Sequence, residues 1–309
     1  MKKEYKNFLV KYMSLIGLII LCAVVSIITP RFLTWSNITN VLTQVSVNAI
    51  IALGMTFVIL TGGIDLSVGS VVAITGAVAA FLIKSNGVFV GISAALVLGG
   101  IIGYLNGFII ARGKIQAFIA TLATMTIFRG VTYVFTGGNP ISGLGQSFMT
   151  IGNKKLLGIP LPVILMVLVF LAAAYVLNET RFGRYVYAIG GNEDSARLSG
   201  IGTKKIKNLV YMISGITAAV SGVIVTSRIG SASPNAGSGF ELDAIAAVVL
   251  GGTSLTGGEG HIYGTIIGAI IIGVLNNALN LMNVSPFYQS IVKGAVILLA
   301  VLVDKKNNK

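Results

Sequence analysis

Apolar runs long enough to cross a bilayer recur along this chain, and that recurrence limits the fold more than any other feature. A helix crossing the hydrocarbon core needs roughly 20 such residues. Runs bounded by charges, Gly, Pro or Asn fall at about 13–29, 38–59, 68–83, 88–110, 117–135, 161–177, 208–226, 241–255, 262–281 and 286–303. Ten spans with short connections use up the 309 residues, so one transmembrane domain over 1–309 is expected, not two soluble ones. Composition agrees: with 55% hydrophobic residues, 10% charged residues and a mean hydropathy of +0.91, too little polar surface exists to coat a soluble globule. The expected fold class is an all-α polytopic membrane protein with the lipid bilayer as its solvent. The eighth run is short and the second is rich in polar residues, so both are candidates for broken or re-entrant helices, which membranes tolerate where irregular backbone is buried in protein.

The net charge of +13 does not point to nucleic acid, because the basic residues lie between apolar runs instead of gathering on one folded face. Placing the N-terminus in the cytoplasm puts Lys2, Lys3, Lys6, Lys11, Arg112, Lys114, Arg181, Arg184, Arg197, Lys204, Lys205, Lys207, Lys305, Lys306 and Lys309 on that side. Arg31, Lys84, Lys154, Lys155 and Arg228 fall on the other side, and Arg129 and Lys293 lie within runs. That bias obeys the positive-inside rule with both termini cytoplasmic, and it favours ten spans over nine. The basic N-terminus resembles a signal peptide, but the run ending at Thr29 leads to Pro30 without a small-residue cleavage pattern, so a retained first span is expected.

Leu60-Thr61-Gly62-Gly63 recurs as Leu255-Thr256-Gly257-Gly258, and six residues beyond each Gly63 or Gly258 comes Gly69 or Gly264, followed by Ser or Thr. Gly-interrupted spans repeated in two halves are how transporters build a path near the interface of those halves. On this topology the repeat is parallel; chance recurrence among 39 glycines is the competing reading. Gly99-x-x-x-Gly103-x-x-x-Gly107 and Gly264-x-x-x-Gly268 with Gly273 place small residues on one helix face, which suits close helix packing and needs no ligand.

Ionisable groups in or beside spans draw attention because burying one at the bilayer centre costs about 2.5–3.5 kcal/mol on insertion scales. Arg129 in the fifth run, Lys293 in the tenth, Asp65 after the first Gly-Gly turn, and Glu241 with Asp243 at the start of the eighth are the candidates. Neutral polar residues form stripes: Gln44 with Asn48, Asn276 with Asn280, and Thr121 with Thr124 near Phe128. Two readings stand for all of these. They are helix-to-helix glue or ion pairs, or they line a path for a hydroxyl-rich solute that needs alternating donors and acceptors beside an aromatic face.

The longest cytoplasmic loop, about 178–207, contains a short helix candidate with Asn192 as N-cap, Glu193 and Asp194 in its first turn, Arg197 near its end, and Gly200 and Gly202 beyond. It reads as an exposed docking helix or as a solvated charged loop. No G-x-x-x-x-G-K-[ST] is present to cradle ATP, nor any Cys/His metal spacing or nucleophile-base signature. Cys22 is the one cysteine and His261 the one histidine, so no catalytic, metal or cofactor-binding residue is expected.

Four stretches carry a family resemblance: residues 54–69 (GMTFVILTGGIDLSVG), 121–130 (TLATMTIFRG), 187–192 (YAIGGN) and 241–255 (ELDAIAAVVLGGTSL). In this order they resemble the membrane permeases of bacterial ATP-binding-cassette sugar importers, and among them the ribose type, over nearly the whole chain. The resemblance implies two permease chains, a separate ATPase subunit that holds the ATP and Mg, an extracytoplasmic sugar-binding protein, and a place in the bacterial cytoplasmic membrane. It further implies that the loop carrying Asn192, Glu193, Asp194, Arg197, Leu198 and Ile201 is the segment the ATPase receives. Permeases for another pentose, a hexose, an autoinducer or a nucleoside share the pattern. From a different class, an ion-coupled secondary transporter would need a coupling site on this chain, for which Asp65, Asp243 and Arg129 are available.

Overall fold

The computed structural model describes the backbone of residues 2–307 and the side chains of 14–299, 301 and 302. Lys2, Lys3, Lys6, Lys11, Lys305, Lys306 and Lys309, on which much of the charge bias rests, lie outside the described side chains. The helices are α1 (Lys2–Ile28), α2 (Trp35–Leu60), α3 (Val68–Asn86), α4 (Val88–Gly113), α5 (Ala117–Thr136), α6 (Gln146–Asn153), α7 (Leu161–Glu179), α8 (Arg181–Gly191), α9 (Glu193–Leu198), α10 (Thr203–Ile229), α11 (Phe240–Leu250), α12 (Ile262–Leu281) and α13 (Pro286–Asn307). The strands are two residues each: β1 (Ile141–Ser142) pairs antiparallel with β4 (Ser231–Ala232), and β2 (Lys155–Leu156) with β3 (Ile159–Pro160). The protein is an all-α polytopic membrane protein. Among the described residues, α2, α3, α4, α5, α7, α10 and α12 are each long and apolar enough to cross a membrane, and Ser14–Ile28 and Pro286–Leu299 are shorter apolar helical stretches.

The second run is one unbroken helix of 26 residues, contrary to the expectation of a break. Four of its hydroxyl side chains bond back within the helix: Thr39, Thr43, Ser46 and Thr56 donate to the carbonyls of Ser36, Thr39, Thr43 and Ala52 at 2.7–2.9 Å. Every residue from Ala49 to Leu60 is buried, because α7, α10, α11 and α12 surround the helix. The eighth run is indeed broken. α11 has 11 residues, which at 1.5 Å per residue span about 16 Å, half of the hydrocarbon core. It ends where Gly251 is followed by Gly252 at φ 87°, and non-helical segments flank it on both sides.

The glycine stripes do what their spacing suggested except at Gly273, which turns away from Gly264 and Gly268 and meets the Val45 side chain of α2. Gly99, Gly103 and Gly107 of α4 lie directly against the α10 backbone at Gly215, Tyr211–Met212 and Asn208. Gly264 and Gly268 of α12 lie against the backbone of Gly251 and Ala247.

The internal echo extends to whole elements. Shifted by 195 residues, the distance from Leu60 to Leu255, α3 falls on α12 and α4 on α13, while α11 falls inside α2. The two copies touch: Gly258 N–H donates to the Leu60 carbonyl at 3.0 Å. Gly190 of α8 packs so closely on Leu60, Gly257 and Gly258 that no side chain fits there. Tyr187 of α8 adds a hydrogen bond from its hydroxyl to the Gly260 carbonyl at 2.9 Å. At the opposite end, β1 and β4 pair, Ser227 accepts from Gly152 N–H at 2.8 Å, and α6 packs on α10. Sequence periodicity did not single out α6, α8 or these strands, which are too short to carry it.

Gly103→Val is expected to lower the melting temperature of the detergent-purified protein by several degrees, as overpacking of about 1–3 kcal/mol implies. Gly130→Ala, with open space around it, should melt like the wild type.

Candidate functional site

Asp243 sits in the first turn of α11, and the broken backbone explains how a carboxylate reaches the middle of the bundle. Gly237 and Gly239 take positive φ values of 72° and 85°, turning the chain just before the helix. Arg129 of α5 holds that turn in place, its Nη1 donating to the carbonyls of Pro234 and Ala236 at 2.7 and 2.8 Å. Asp243 Oδ2 then accepts from three helices: Lys293 Nζ of α13 at 3.1 Å, Asn48 Nδ2 of α2 at 3.3 Å and Asn276 Nδ2 of α12 at 3.4 Å. The carboxylate side chain is 5% exposed and the lysine 30%. Burial would make a lone carboxylate very costly here, and the ammonium and two amides offset that cost. Asn48 Oδ1 and Asn276 Oδ1 are buried in the same cluster without a hydrogen-bond partner in the protein.

Polar residues lead from this cluster toward the β1/β4 end. On α2, Gln44 lies one turn from Asn48 and donates to Asn40 Oδ1 at 3.3 Å, which also accepts from Arg228 at 3.1 Å. On α12, Asn280 lies one turn from Asn276 and accepts from Gln289 Nε2 at 2.9 Å. In the other direction α2 continues as the wholly buried stretch from Ala49 to Leu60, so on this helix the exposed polar stripe ends at the ion pair.

Asp65, Thr121, Thr124, Phe128 and Arg129 stand outside this cluster. Asp65 accepts from Ser67 N–H at 3.0 Å, Ser67 Oγ at 2.6 Å and Ser214 Oγ at 2.8 Å, and Asn106 Nδ2 donates to Ser67 Oγ at 2.8 Å. Thr121 donates to the Ile64 carbonyl at 3.1 Å, while Thr124 bonds back to Thr121 O within α5. Phe128 packs against the core. These bonds brace the 61–67 and 233–239 segments.

The 178–207 loop folds into two helices. Thr180 caps α8 and Asn192 caps α9, its Oδ1 accepting from Ser195 N–H at 2.8 Å. Arg197 pairs with Asp194 at 2.9 Å, and Glu193 pairs with Lys207 of α10. Ile201 packs against the core, whereas Leu198 is 86% exposed.

The family of branched-chain amino acid transport system permease components matches residues 37–301. The chain belongs to this permease family. It is 56% identical over 306 residues to the ribose import permease protein RbsC of Escherichia coli, covering 97% of this chain and 95% of the relative. To the ribose import permease of Bacillus subtilis it is 54% identical over 299 residues, covering 95% and 92%. To the D-allose transport system permease protein of Escherichia coli it is 40% identical over 302 residues, covering 97% and 93%. No solved structure matches the chain.

As a permease component the chain is a transport subunit and multi-pass membrane protein. Four residues picked from the permease sequence, Asn48, Asp243, Asn276 and Lys293, meet at one point. Asn40 and Arg228 were not picked, although Asn40 continues the four-residue spacing of Gln44 and Asn48 by one turn. The reciprocal amide pair of Asn37 and Asn277, at 2.9 and 3.0 Å, carries no local sequence signal because its two halves lie 240 residues apart.

Lys293→Met alone is expected to destabilise the purified permease by about 3 kcal/mol, because it strands the buried Asp243 carboxylate. Lys293→Met combined with Asp243→Leu should recover most of that loss in a thermal-shift double-mutant cycle.

Proposed function

We propose that this chain is the membrane permease of an ATP-binding-cassette importer that carries ribose into the bacterial cytoplasm. The observation that carries the reading is the gradient of identity: ribose permeases of two distant bacteria stand at 56% and 54% over nearly full length, and the allose permease at 40%. Two copies of the chain form the path, both termini face the cytoplasm, and the α8–α9 end meets a separate ATPase that holds ATP and Mg. An extracytoplasmic sugar-binding protein delivers its cargo to the opposite, β1/β4 end. The permease itself carries no cofactor and no catalytic residue.

Gln44, Asn48, Asn276 and Asn280 supply the wetted face of the path, with the Asp243–Lys293 pair at its inner limit. A pentose offers hydroxyls that donate and accept. The free Oδ1 atoms of Asn48 and Asn276 accept from such hydroxyls, and Lys293 donates to them, without any contact strong enough to retain the sugar. ATP binding in the partner closes the ATPase pair and moves α9. Gly190 and Tyr187 of α8 touch the Leu60 and Gly257–Gly260 segments, so motion of this helix pair acts on both repeats at once.

Proteoliposomes holding the permease, its ATPase and its binding protein should accumulate labelled ribose only when ATP is present. Uptake driven by a proton or sodium gradient with the permease alone would refute the importer reading, and ribose-independent uptake of another solute would refute the cargo. Leu198→Asp should weaken ATPase binding by about tenfold, as for loss of an apolar interface anchor. The pair Glu193→Ala and Arg197→Ala should leave membrane insertion intact while ATP hydrolysis no longer drives uptake.

A further inference from the structure

A cavity of about 340 Å³ opens at the α9 end, between the α4–α5 connection and the start of α10, and its lining is built for an anion. Four independent features converge there. The first turn of α5 borders the cavity at Gln116 and Ala117; Gln116 makes no side-chain cap and no acidic residue sits in that turn, so the N–H groups at the start of a 20-residue helix are left uncapped. Lys114, in a left-handed conformation at φ 53°, borders the same space and has no ion-pair partner among the described residues. Lys207 lines it beside Glu193, the one acidic group of the wall, so the lining carries a net positive charge.

The fourth feature is the Tyr211 hydroxyl. Tyr211 is 1% exposed, its buried hydroxyl has no hydrogen-bond partner in the protein, and the residue borders this cavity. An unpaired buried hydroxyl costs stability, and substitution by phenylalanine would remove that cost. Gly63, which also lines the cavity, packs against Tyr211 so closely that a side chain at that position would collide with the hydroxyl. Lysine, uncapped helix amides and a phenolic hydroxyl all donate, and a compact group with several acceptor oxygens satisfies all of them together.

We propose that this cavity binds a small phosphate-bearing molecule, with the phosphate between Lys114, Lys207 and the start of α5, and an acceptor oxygen at Tyr211. The volume admits a phosphorylated pentose as well as free phosphate. Occupancy would draw Lys207 away from Glu193, the contact that ties α9 to α10, and so weaken the docking helix from inside. Only this last consequence rests on the importer reading. The binding itself does not, and nanodiscs leave both faces of the permease open, so failure of either one is separable from failure of the other.

The test is equilibrium binding of labelled ribose 5-phosphate and of labelled inorganic phosphate to the full chain in lipid nanodiscs, with ribose as the neutral control. Saturable binding of ribose 5-phosphate, of inorganic phosphate or of both supports the site, and their ratio tells whether the sugar is recognised with the phosphate. Tyr211→Phe and Lys114→Gln should each weaken binding about tenfold or more, the usual effect of losing one hydrogen bond to a charged group. Neither group bonds to the rest of the protein, so both variants should melt no lower than wild type. Absence of saturable binding, equal binding of neutral ribose, or binding that both variants leave unchanged would overturn the proposal.

Discussion

Non-helical backbone that interrupts an apolar bundle needs hydrogen-bond partners from the protein wherever water is shut out, and among the described residues this permease carries three such segments: 61–67, 231–239 and 251–261. Their partners include three of the polar residues that stand out in an otherwise apolar sequence, Asp65, Thr121 and Arg129. Asp65, Ser67, Ser214, Asn106 and Thr121 enclose the first segment, and Arg129 supplies two bonds to the second. The third is held by the first through Gly258 and Leu60, and by α8 through Tyr187. Without these contacts α11 could not begin in mid-bundle, and Asp243 would have no route to Lys293.

Two kinds of polar chemistry therefore coexist in the bundle. Bonds from side chains to backbone carbonyls, such as those of Arg129 and Thr121, brace irregular chain. Bonds among side chains, such as those of Asp243 with Lys293, Asn48 and Asn276, join four helices through one carboxylate and leave two amide oxygens unused. The first kind resists motion. The second holds a buried carboxylate through an ammonium and two amides, so it is costly to break but leaves amide oxygens free to accept.

Glycine supplies the complementary half of the design. With α4 pressed on α10 through Gly99, Gly103 and Gly107, and α12 on α11 through Gly264 and Gly268, the helices lie close enough for backbone-to-backbone van der Waals contact. At Gly190 the same close approach joins α8 to both copies of the Leu-Thr-Gly-Gly repeat. A displacement of the α8–α9 pair thus meets closely packed backbone on both repeats, not a flexible side chain.

Hydrophobic runs, their charged borders and the paired Gly-Gly turns determined from sequence alone that the chain is an all-α membrane protein with a repeat, because the free energy of inserting a helix is local and additive along the chain. The cap of α9 at Asn192 was legible for the same reason: capping depends on residues three apart. What only tertiary structure decided depends on contacts between distant residues. The polar second run remains a continuous helix because α7, α10, α11 and α12 cover it, and no local pattern records that cover. Asp65, Thr121 and Arg129 match path residues in type, and only the fold set Thr121 and Arg129 against carbonyls of the broken segments and Asp65 against the donors of Ser67 and Ser214. Asp243, Asn48, Asn276 and Lys293 lie on four separate helices, so their meeting at one oxygen atom could be read only once those helices were packed.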